Sequence, residues 1–383
     1  MTRVAVIGAG LGGLTAALAL ARAGVPVTVY EQAPMLSEVG AGITLGPNAS
    51  RIVEYLGLGV DLKRLGVVPG RQWTQHWQTG DVLLEFERGA QLTARYGAGY
   101  YHVHRADLHA LLVAALADAA PDALRLDHRL IGIDREGRMQ FAGGIEVTAD
   151  VVVGADGVRS AVRDALFESA SPHFTGQVAW RGIVPAAELP DDVRTMPPGI
   201  HIGPQHLFMR YPVRGGTLIN YAAFVELAGW EEESWSTRST IDELLEHFRE
   251  WDPVVSAIIA ATPADQLYKW ALHARSPLDS WIAGKVTLLG DAAHAMLPFM
   301  GQGAATAMED GLVLARCLAA FAPDAALRRY EKARLDRTSM VQTQSRLLGL
   351  RFQGKDPESL GKGPIRNEET LGLFEYDAAR VPL

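Results

Sequence analysis

The sequence predicts an α/β fold, in which a parallel-sheet domain is interleaved with a mostly antiparallel β-sheet domain and followed by a C-terminal helical segment. Three observations lead there. Apolar runs at Val4–Ile7, 151–153 and 286–289 each end in a glycine turn, as strands buried in a parallel sheet do. Residues 174–224 instead alternate apolar and polar side chains in short runs. The three apolar runs lie far apart in the chain, so a second region must interrupt the domain they build.

The first run leads into Gly8-Ala9-Gly10-Leu11-Gly12-Gly13, a G-x-G-x-x-G pattern at Gly8, Gly10 and Gly13. Residues 14–23 are Ala/Leu-rich and helical, and Gly24 and Pro26 stop them. Residues 26–30 form a second strand, which Glu31 ends. Each part has a physical task. Gly8 permits the tight turn, Gly10 lets backbone approach a pyrophosphate, and Gly13 lets helix and sheet pack closely. The helix N-terminus offers free N–H groups and a positive dipole end. Glu31, 23 residues after Gly8, can hold both ribose hydroxyls and would repel a 2′-phosphate. A ligand-free glycine turn would not need strand, helix, second strand and acid in register. The unit is therefore Rossmann-like and binds a dinucleotide, with FAD and NAD left open by this motif.

Two later motifs narrow the choice. Residues 151–157 run from an apolar strand into Gly154-Ala155-Asp156-Gly157, with Arg159, Ser160 and Arg163 following. The third run meets Gly290-Asp291-Ala292-Ala293-His294, then Pro298 and Gly301-Gln302-Gly303, which open an Ala-rich helix to about residue 320. Taken singly, Asp156 could be an Asx-type turn cap and Asp291 a helix N-cap. Together with Gly40-Ala41-Gly42-Ile43, Gly46-Pro47-Asn48, His104-Arg105-Ala106-Asp107-Leu108 and Tyr211-Pro212-Val213-Arg214, the chain resembles the single-component (class A) flavoprotein aromatic hydroxylases. The resemblance spans nearly the whole chain. It is nearest the branch of salicylate hydroxylase, 3-hydroxybenzoate 6-hydroxylase and 6-hydroxynicotinate 3-monooxygenase.

The resemblance implies FAD as cofactor and NADH or NADPH as a transient co-substrate. It places Asp291 on a ribityl or ribose hydroxyl, Arg105 at the phosphates, and Asp156 and Gly157 near the pyrophosphate and the incoming nicotinamide. Gln32, Leu130, Gly301 and Gly303 complete the cofactor set, and Pro298 sits beside the flavin ring. A helix starting near Gly301–Gly303 would direct its dipole at the anionic edge of reduced flavin; otherwise it is a packing helix that needs glycine at a tight entry. No second G-x-G-x-x-G follows Gly40, Gly97 or Gly301, so no separate domain for the reductant is expected.

On this reading the FAD-binding domain is discontinuous, at 1–72, 99–173 and 270–320. The substrate domain takes 73–98 and 174–269, and residues 321–383 form a C-terminal helix and tail. Residues 239–251 read as an amphipathic helix with Ile241, Leu244, Leu245 and Phe248 in the core. Residues 230–233 read as a solvated loop, and residues 361–364 break the tail.

The implied reaction transfers OH from a flavin C4a-hydroperoxide to an electron-rich ring. The protein must exclude water and favour phenolate, whose parent pKa is about 10. Candidates are His206, Arg210, Tyr211 and Tyr221, with Thr44, Arg181 and Pro298 also lining the substrate. Many relatives carry a histidine five residues before the proline of the Tyr-Pro pair, where this chain has Leu207. His206 is offset by one, which in a strand points to the opposite face unless a bulge intervenes. Tyr211 occupies a family substrate-site position, or is an ordinary core aromatic. Thr44 stands where the hydroxynicotinate branch has histidine, which argues against that substrate. Arg181 or Arg210 could hold a substrate carboxylate, or serve as edge-strand charges. His294 reads as a supporting residue.

Composition sets the exclusions. The 383 residues carry a net charge of -8 with no Lys/Arg run, which disfavours nucleic acid. The single cysteine, Cys317, leaves no internal disulfide and no Cys-based metal site. No apolar stretch approaches the about 18–20 residues of a membrane span, nor does Met1-Thr2-Arg3 lead into a signal-peptide core. A cytoplasmic monomer or homodimer is expected. The reading is an FAD-dependent, NAD(P)H-consuming monooxygenase of a small phenolic or heteroaromatic acid, with O₂ as partner. The alternatives are another outcome on the same fold, such as natural-product hydroxylation or epoxidation, and a non-hydroxylating NAD(P)H oxidase or flavin sensor.

Overall fold

Parallel pairing of short β-branched strands organises one half of the molecule. The computed structural model describes residues 1–36, 41–167, 172–227, 229–230, 237–352 and 366–383. Gly40, Glu231 to Glu233 and the break expected at 361–364 lie outside the described residues. Six strands pair in the order Ile282–Ala283, Val286–Leu288, Val151–Gly154, Val4–Ile7, Val27–Tyr30 and Leu124–Arg125. All neighbours run parallel except the hairpin at the first edge. The helix Leu11–Arg22 packs on the helix Gly303–Ala320. Their backbones meet so closely that a Cβ on Gly311 would lie 2.8 Å from the Ala16 nitrogen.

The other half is an eight-stranded sheet. Its order is Thr237–Arg238, Tyr268–Ala274, His173–Pro185, Leu218–Glu226, His206–Val213, Gly199–Gly203, Arg71–His76 and Val82–Glu87. Pairing is antiparallel except between Gly199–Gly203 and Arg71–His76. Alternation splits the side chains between two faces. Trp180, Phe208 and Tyr221 point to a far face covered by the helices Ile241–His247 and Pro253–Ala260. Ala179, Leu207 and Phe224 point to a near face that packs on Leu297 and Phe299. The boundaries expected after residues 72 and 269 fall inside strands Arg71–His76 and Tyr268–Ala274; hydrogen bonding assigns the whole of both to this sheet. A two-stranded sheet, Gly42–Leu45 with Tyr101–His104, bridges the halves. Beyond the helix Pro323–Phe352, the tail is packed: Leu373 and Phe374 are buried, and Arg51 and Arg316 donate to tail carbonyls. Among the described residues no helix is long and apolar enough to cross a membrane.

A buried charge cluster fastens the long helices to the third glycine turn. Arg334, fully buried, meets Glu309 and Asp310 at 2.7 Å each. Arg337 reaches Glu309 at 2.8 Å, His294 reaches Asp310 at 2.6 Å, and the Gly290 N–H donates to Asp310 at 3.1 Å. Burial pushes the Glu309 carboxyl up, but Arg337 and Arg334, with hydrogen bonds from Arg337 and Asn48, outweigh it and hold the group at about 2.

Two outcomes follow. Arg334→Leu strands two buried carboxylates and should cost about 3–5 kcal/mol in denaturant unfolding; a loss under about 1 kcal/mol would mean the cluster is not a structural keystone. The folded-state pKa of Glu309 lies below its ordinary value of 4.5, so its contribution is complete above that pH and is lost as pH falls from 4.5 towards 2. Thermal unfolding against pH should therefore show stability falling through that window, and falling less steeply in Glu309→Gln.

Candidate active site

The C-terminal ends of four adjacent parallel strands carry the motif residues side by side. In spatial order these are Gly290-Asp291, Ala155-Asp156-Gly157, Gly8 to Gly13, and Glu31. Open parallel sheets bind ligands in the crevice at this edge. Gly8 adopts φ +105, and a Cβ there would lie 2.4 Å from the Ala155 carbonyl oxygen, so the first two turns touch. A Cβ on Gly13 would lie 2.2 Å from the Gly8 oxygen, which explains that glycine by packing. Gly10 has nothing within 4 Å of its Cβ position, and the helix it opens has no side-chain cap. Free N–H groups and open backbone together fit the pyrophosphate of FAD.

Glu31 accepts hydrogen bonds from the Ala9 N–H at 2.8 Å and the Ala33 N–H at 3.0 Å, which fixes its carboxylate on the glycine turn. Each oxygen retains a lone pair for a ribose hydroxyl. Gln32 beside it is exposed, and Leu130 is buried at the start of strand Leu130–Ile133. Asp156 accepts from the Ser160 hydroxyl and, at 3.1 Å, from the Val162 N–H, so its carboxylate caps a turn. Burial raises its pKa. Gly157 beside it, at φ +80, is open. Asp291 is exposed, and its carboxylate makes no hydrogen bond among the described residues, which suits the cofactor hydroxyl expected of it. His294, bonded to Asp310, is a support.

Sequence reasoning gave Arg163 and Arg275 no role. Arg163 is buried, and its Nη1 donates to the Ala292 carbonyl at 2.9 Å, while its Nε and Nη2 have no partner among the described residues. Burial, then the charge of Arg275, depresses its pKa. The two guanidiniums concentrate positive charge between the second and third turns.

The helix Gly303–Ala320 begins after Gly301, which adopts φ +61, and carries no side-chain cap. Gly303 is open. Thr44 approaches the Gly301 carbonyl at 3.5 Å. Pro298 starts the short turn Pro298–Met300 that faces the antiparallel sheet through Phe299, 5.2 Å from the Phe224 ring. Arg105 starts the helix Arg105–Ala119, and its N–H donates to Ala41 at 2.8 Å.

Register fixes which sheet residues share this space. Across the near face, Leu207 pairs with Phe224 and Ile202, Met209 with Ala222 and Ile200, and Tyr211 with Asn220. Arg181 pairs with Ala222 and lies over the Tyr268 ring at 5.1 Å. Burial, more than the charge of Arg105, lowers its pKa.

Three expected substrate residues are corrected. His206, Arg210 and Tyr221 lie on the far face, separated from the glycine turns by the sheet itself. The register from His206 to Val213 is unbroken, so no bulge restores His206. His206 packs 5.6 Å from Phe248 and 6.2 Å from Trp251. Arg210 donates to Pro197 at 2.7 Å and Gln75 at 3.1 Å, and burial pulls it down to about 10. Tyr221 stacks on Phe208 at 5.1 Å and shares a hydrogen bond with Thr262 at 2.9 Å.

The near face gains residues that sequence reasoning missed. Asn220 accepts from the Gly42 N–H at 2.6 Å, and the His102 ring lies 4.6 Å from that of Tyr211. Strand pairing with the Gly42–Leu45 segment was the signal that could have found them. Burial raises Tyr211 well above the ordinary tyrosine value and Tyr100 to about 12, so both hydroxyls stay neutral.

An FAD-type crevice roofed by a mostly apolar sheet defines a flavin-dependent oxidoreductase. Comparison with known proteins agrees. A family model described as an FAD binding domain matches residues 1–345. The chain is 39% identical over 359 residues to 3-amino-4-hydroxybenzoate 2-monooxygenase PtmB3 of Streptomyces platensis, covering 92% of this chain and 89% of that one. It is 37% identical over 389 residues to 6-hydroxynicotinate 3-monooxygenase of Pseudomonas fluorescens, covering 100% and 96%. The solved structure of Klebsiella pneumoniae HpxO complexed with FAD and uric acid superposes with a TM-score of 0.83 at 28% identity, covering 97% and 95%. The chain belongs to this FAD-binding family, among the class A flavin hydroxylases. It is an FAD-dependent aromatic-ring monooxygenase that draws on NAD(P)H.

Removing the free carboxylate should act on the cofactor alone. Asp291→Ala is expected to purify with most of its flavin lost and its far-ultraviolet circular dichroism unchanged. A full flavin complement in that variant would refute the role given to Asp291.

Proposed function

We propose that the chain hydroxylates a small phenolic or heteroaromatic acid. The observation that carries this reading is the composition of the near face. Leu207, Met209, Ala222 and Phe224 form a small apolar roof, and polar groups gather at one end, where Tyr211 and Asn220 meet Gly42 and Thr44 lies two residues further along the same strand. Such a surface suits a flat ring with one hydroxyl-bearing edge. The named relatives act on aromatic acids of this size, 3-amino-4-hydroxybenzoate and 6-hydroxynicotinate.

Gly8, Gly10, Gly13, Glu31, Arg105 and Asp291 would hold FAD, which when bound would supply the exchange of electrons with NAD(P)H and O₂. The protein's own residues do the rest. The apolar roof excludes water. Tyr211, kept neutral by burial, offers its hydroxyl as a hydrogen-bond partner to the ring oxygen. The uncapped N-terminus at Gly303 directs positive potential toward the space beside Pro298. Arg181 is a near-face guanidinium that could meet a substrate carboxylate. Arg163, which interacts electrostatically with both Asp156 and Arg275, suits the diphosphate of a reductant that visits without a domain of its own. Thr44 stands where the hydroxynicotinate branch has histidine, so hydroxybenzoates rank first.

The test is a substrate screen on the flavin-loaded protein. Salicylate, 3-hydroxybenzoate, 3-amino-4-hydroxybenzoate and 6-hydroxynicotinate are each added with NADH or NADPH. At least one hydroxybenzoate should stimulate NAD(P)H oxidation at least tenfold and yield a product heavier by one oxygen. Stimulated oxidation with hydrogen peroxide and no oxygenated product would instead identify an oxidase. Failure of all four acids overturns the substrate class.

A further inference from the structure

The wall of the substrate site contains an imidazole with no role yet. His102 sits in the strand Tyr101–His104, directly across from Thr44. It is 1% exposed, 4.6 Å from the Tyr211 ring and 5.6 Å from the Tyr100 ring. Tyr211 itself is next to Gly42 on the same small sheet. The other histidines near the site are engaged or distant. His294 and His201 bond Asp310 and Asp252, His109 bonds the Ala9 carbonyl, and His104 lies against Asp107 and Arg214. His206 packs beyond the sheet.

The protonation of His102 follows from its surroundings. Burial, then the charge of Arg88, holds the imidazole down to about 3, so it is neutral at any working pH. Its Nδ1 is buried and has no hydrogen-bond partner among the described residues. A bare buried acceptor is tolerated better than a bare buried N–H, so the single proton belongs on Nε2. Neutral His102 is then a donor through Nε2, beside the two residues, Thr44 and Tyr211, that mark the polar end of the site.

We propose that His102 contacts the substrate and reads its ring oxygen, donating a hydrogen bond from Nε2 in place of the histidine absent at Leu207. The inference rests on the proposed substrate class. No proton is transferred: the donor favours the oxygen of a phenol or phenolate over a bare C–H edge. A site built to hydrogen-bond a hydroxyl rejects the analogue that lacks it.

The experiment measures binding to the flavin-loaded protein by perturbation of the flavin spectrum. Salicylate and 3-hydroxybenzoate are each compared with benzoate, and 6-hydroxynicotinate with nicotinate. Wild type should bind at least one hydroxylated acid tenfold or more tightly than its partner. His102→Phe keeps a ring on Tyr211 and removes the N–H; it should shrink that ratio about tenfold, most of the loss falling on the hydroxylated acid. His102→Gln restores an N–H and should recover part of the ratio. His102→Met is a second variant without a donor, should the Phe protein fail to hold flavin. A flavin-loaded Phe or Met variant with the wild-type ratio overturns the role of His102 and leaves the substrate class standing. Loss of flavin from all three variants marks a structural residue and overturns it too. A wild-type protein that prefers none of the hydroxylated acids overturns the substrate class and this inference with it.

Discussion

Everything at the site depends on parallel strands ending level along one edge. Val4–Ile7, Val151–Gly154 and Val286–Leu288 are neighbours in the sheet although more than a hundred residues of chain separate each from the next. Pairing of Ile7 with Gly154, and of Gly154 with Leu288, brings their glycine turns to the same height. The turns then interlock. The Gly8 Cβ position is 2.4 Å from the Ala155 oxygen, so the first turn cannot take a side chain there without moving the second. Asp310 accepts the Gly290 N–H and the Arg334 guanidinium together, which ties the third turn to the two long helices. A cofactor-binding surface assembled from three distant segments therefore has little freedom to shift.

Parity along a strand decides the rest. The run from His206 to Tyr211 places His206, Phe208 and Arg210 on one face and Leu207, Met209 and Tyr211 on the other. One residue of offset is the difference between a side chain over the cofactor crevice and one buried under the far helices. Tyr221 falls by the same rule, because Asn220 and Ala222 take the near face on the paired strand. Alternation was legible from the residues alone. Which parity faced the crevice was not, because both faces are buried and so both carry apolar side chains.

Other features divide along similar physical lines. The glycine turns and the helix from Gly303 to Ala320 were legible because local sterics and helix periodicity specify them without reference to distant residues. His102 was not legible. All four residues of Tyr101–His104 are buried, so no alternation marks one as facing a site. The packed tail was equally hidden: Phe374 is held by contacts with Tyr96 and Tyr100, both far away in sequence. Asp156 carries a local explanation and a family one at once. The structure places its carboxylate on Ser160 and Val162, where it holds the turn in place.

The electrostatics of the polar wall explain how the site can do without a histidine at Leu207. Tyr100 and Tyr211 are pushed up by burial and His102 is pushed down, so every one of these groups is neutral at physiological pH. Arg88, buried against Glu368 and Glu369, lies 4.8 Å from the Tyr100 ring. A base that must gain charge in such a place works against its own desolvation. Neutral donors avoid that cost, and they favour an anionic ring oxygen more strongly as water is excluded.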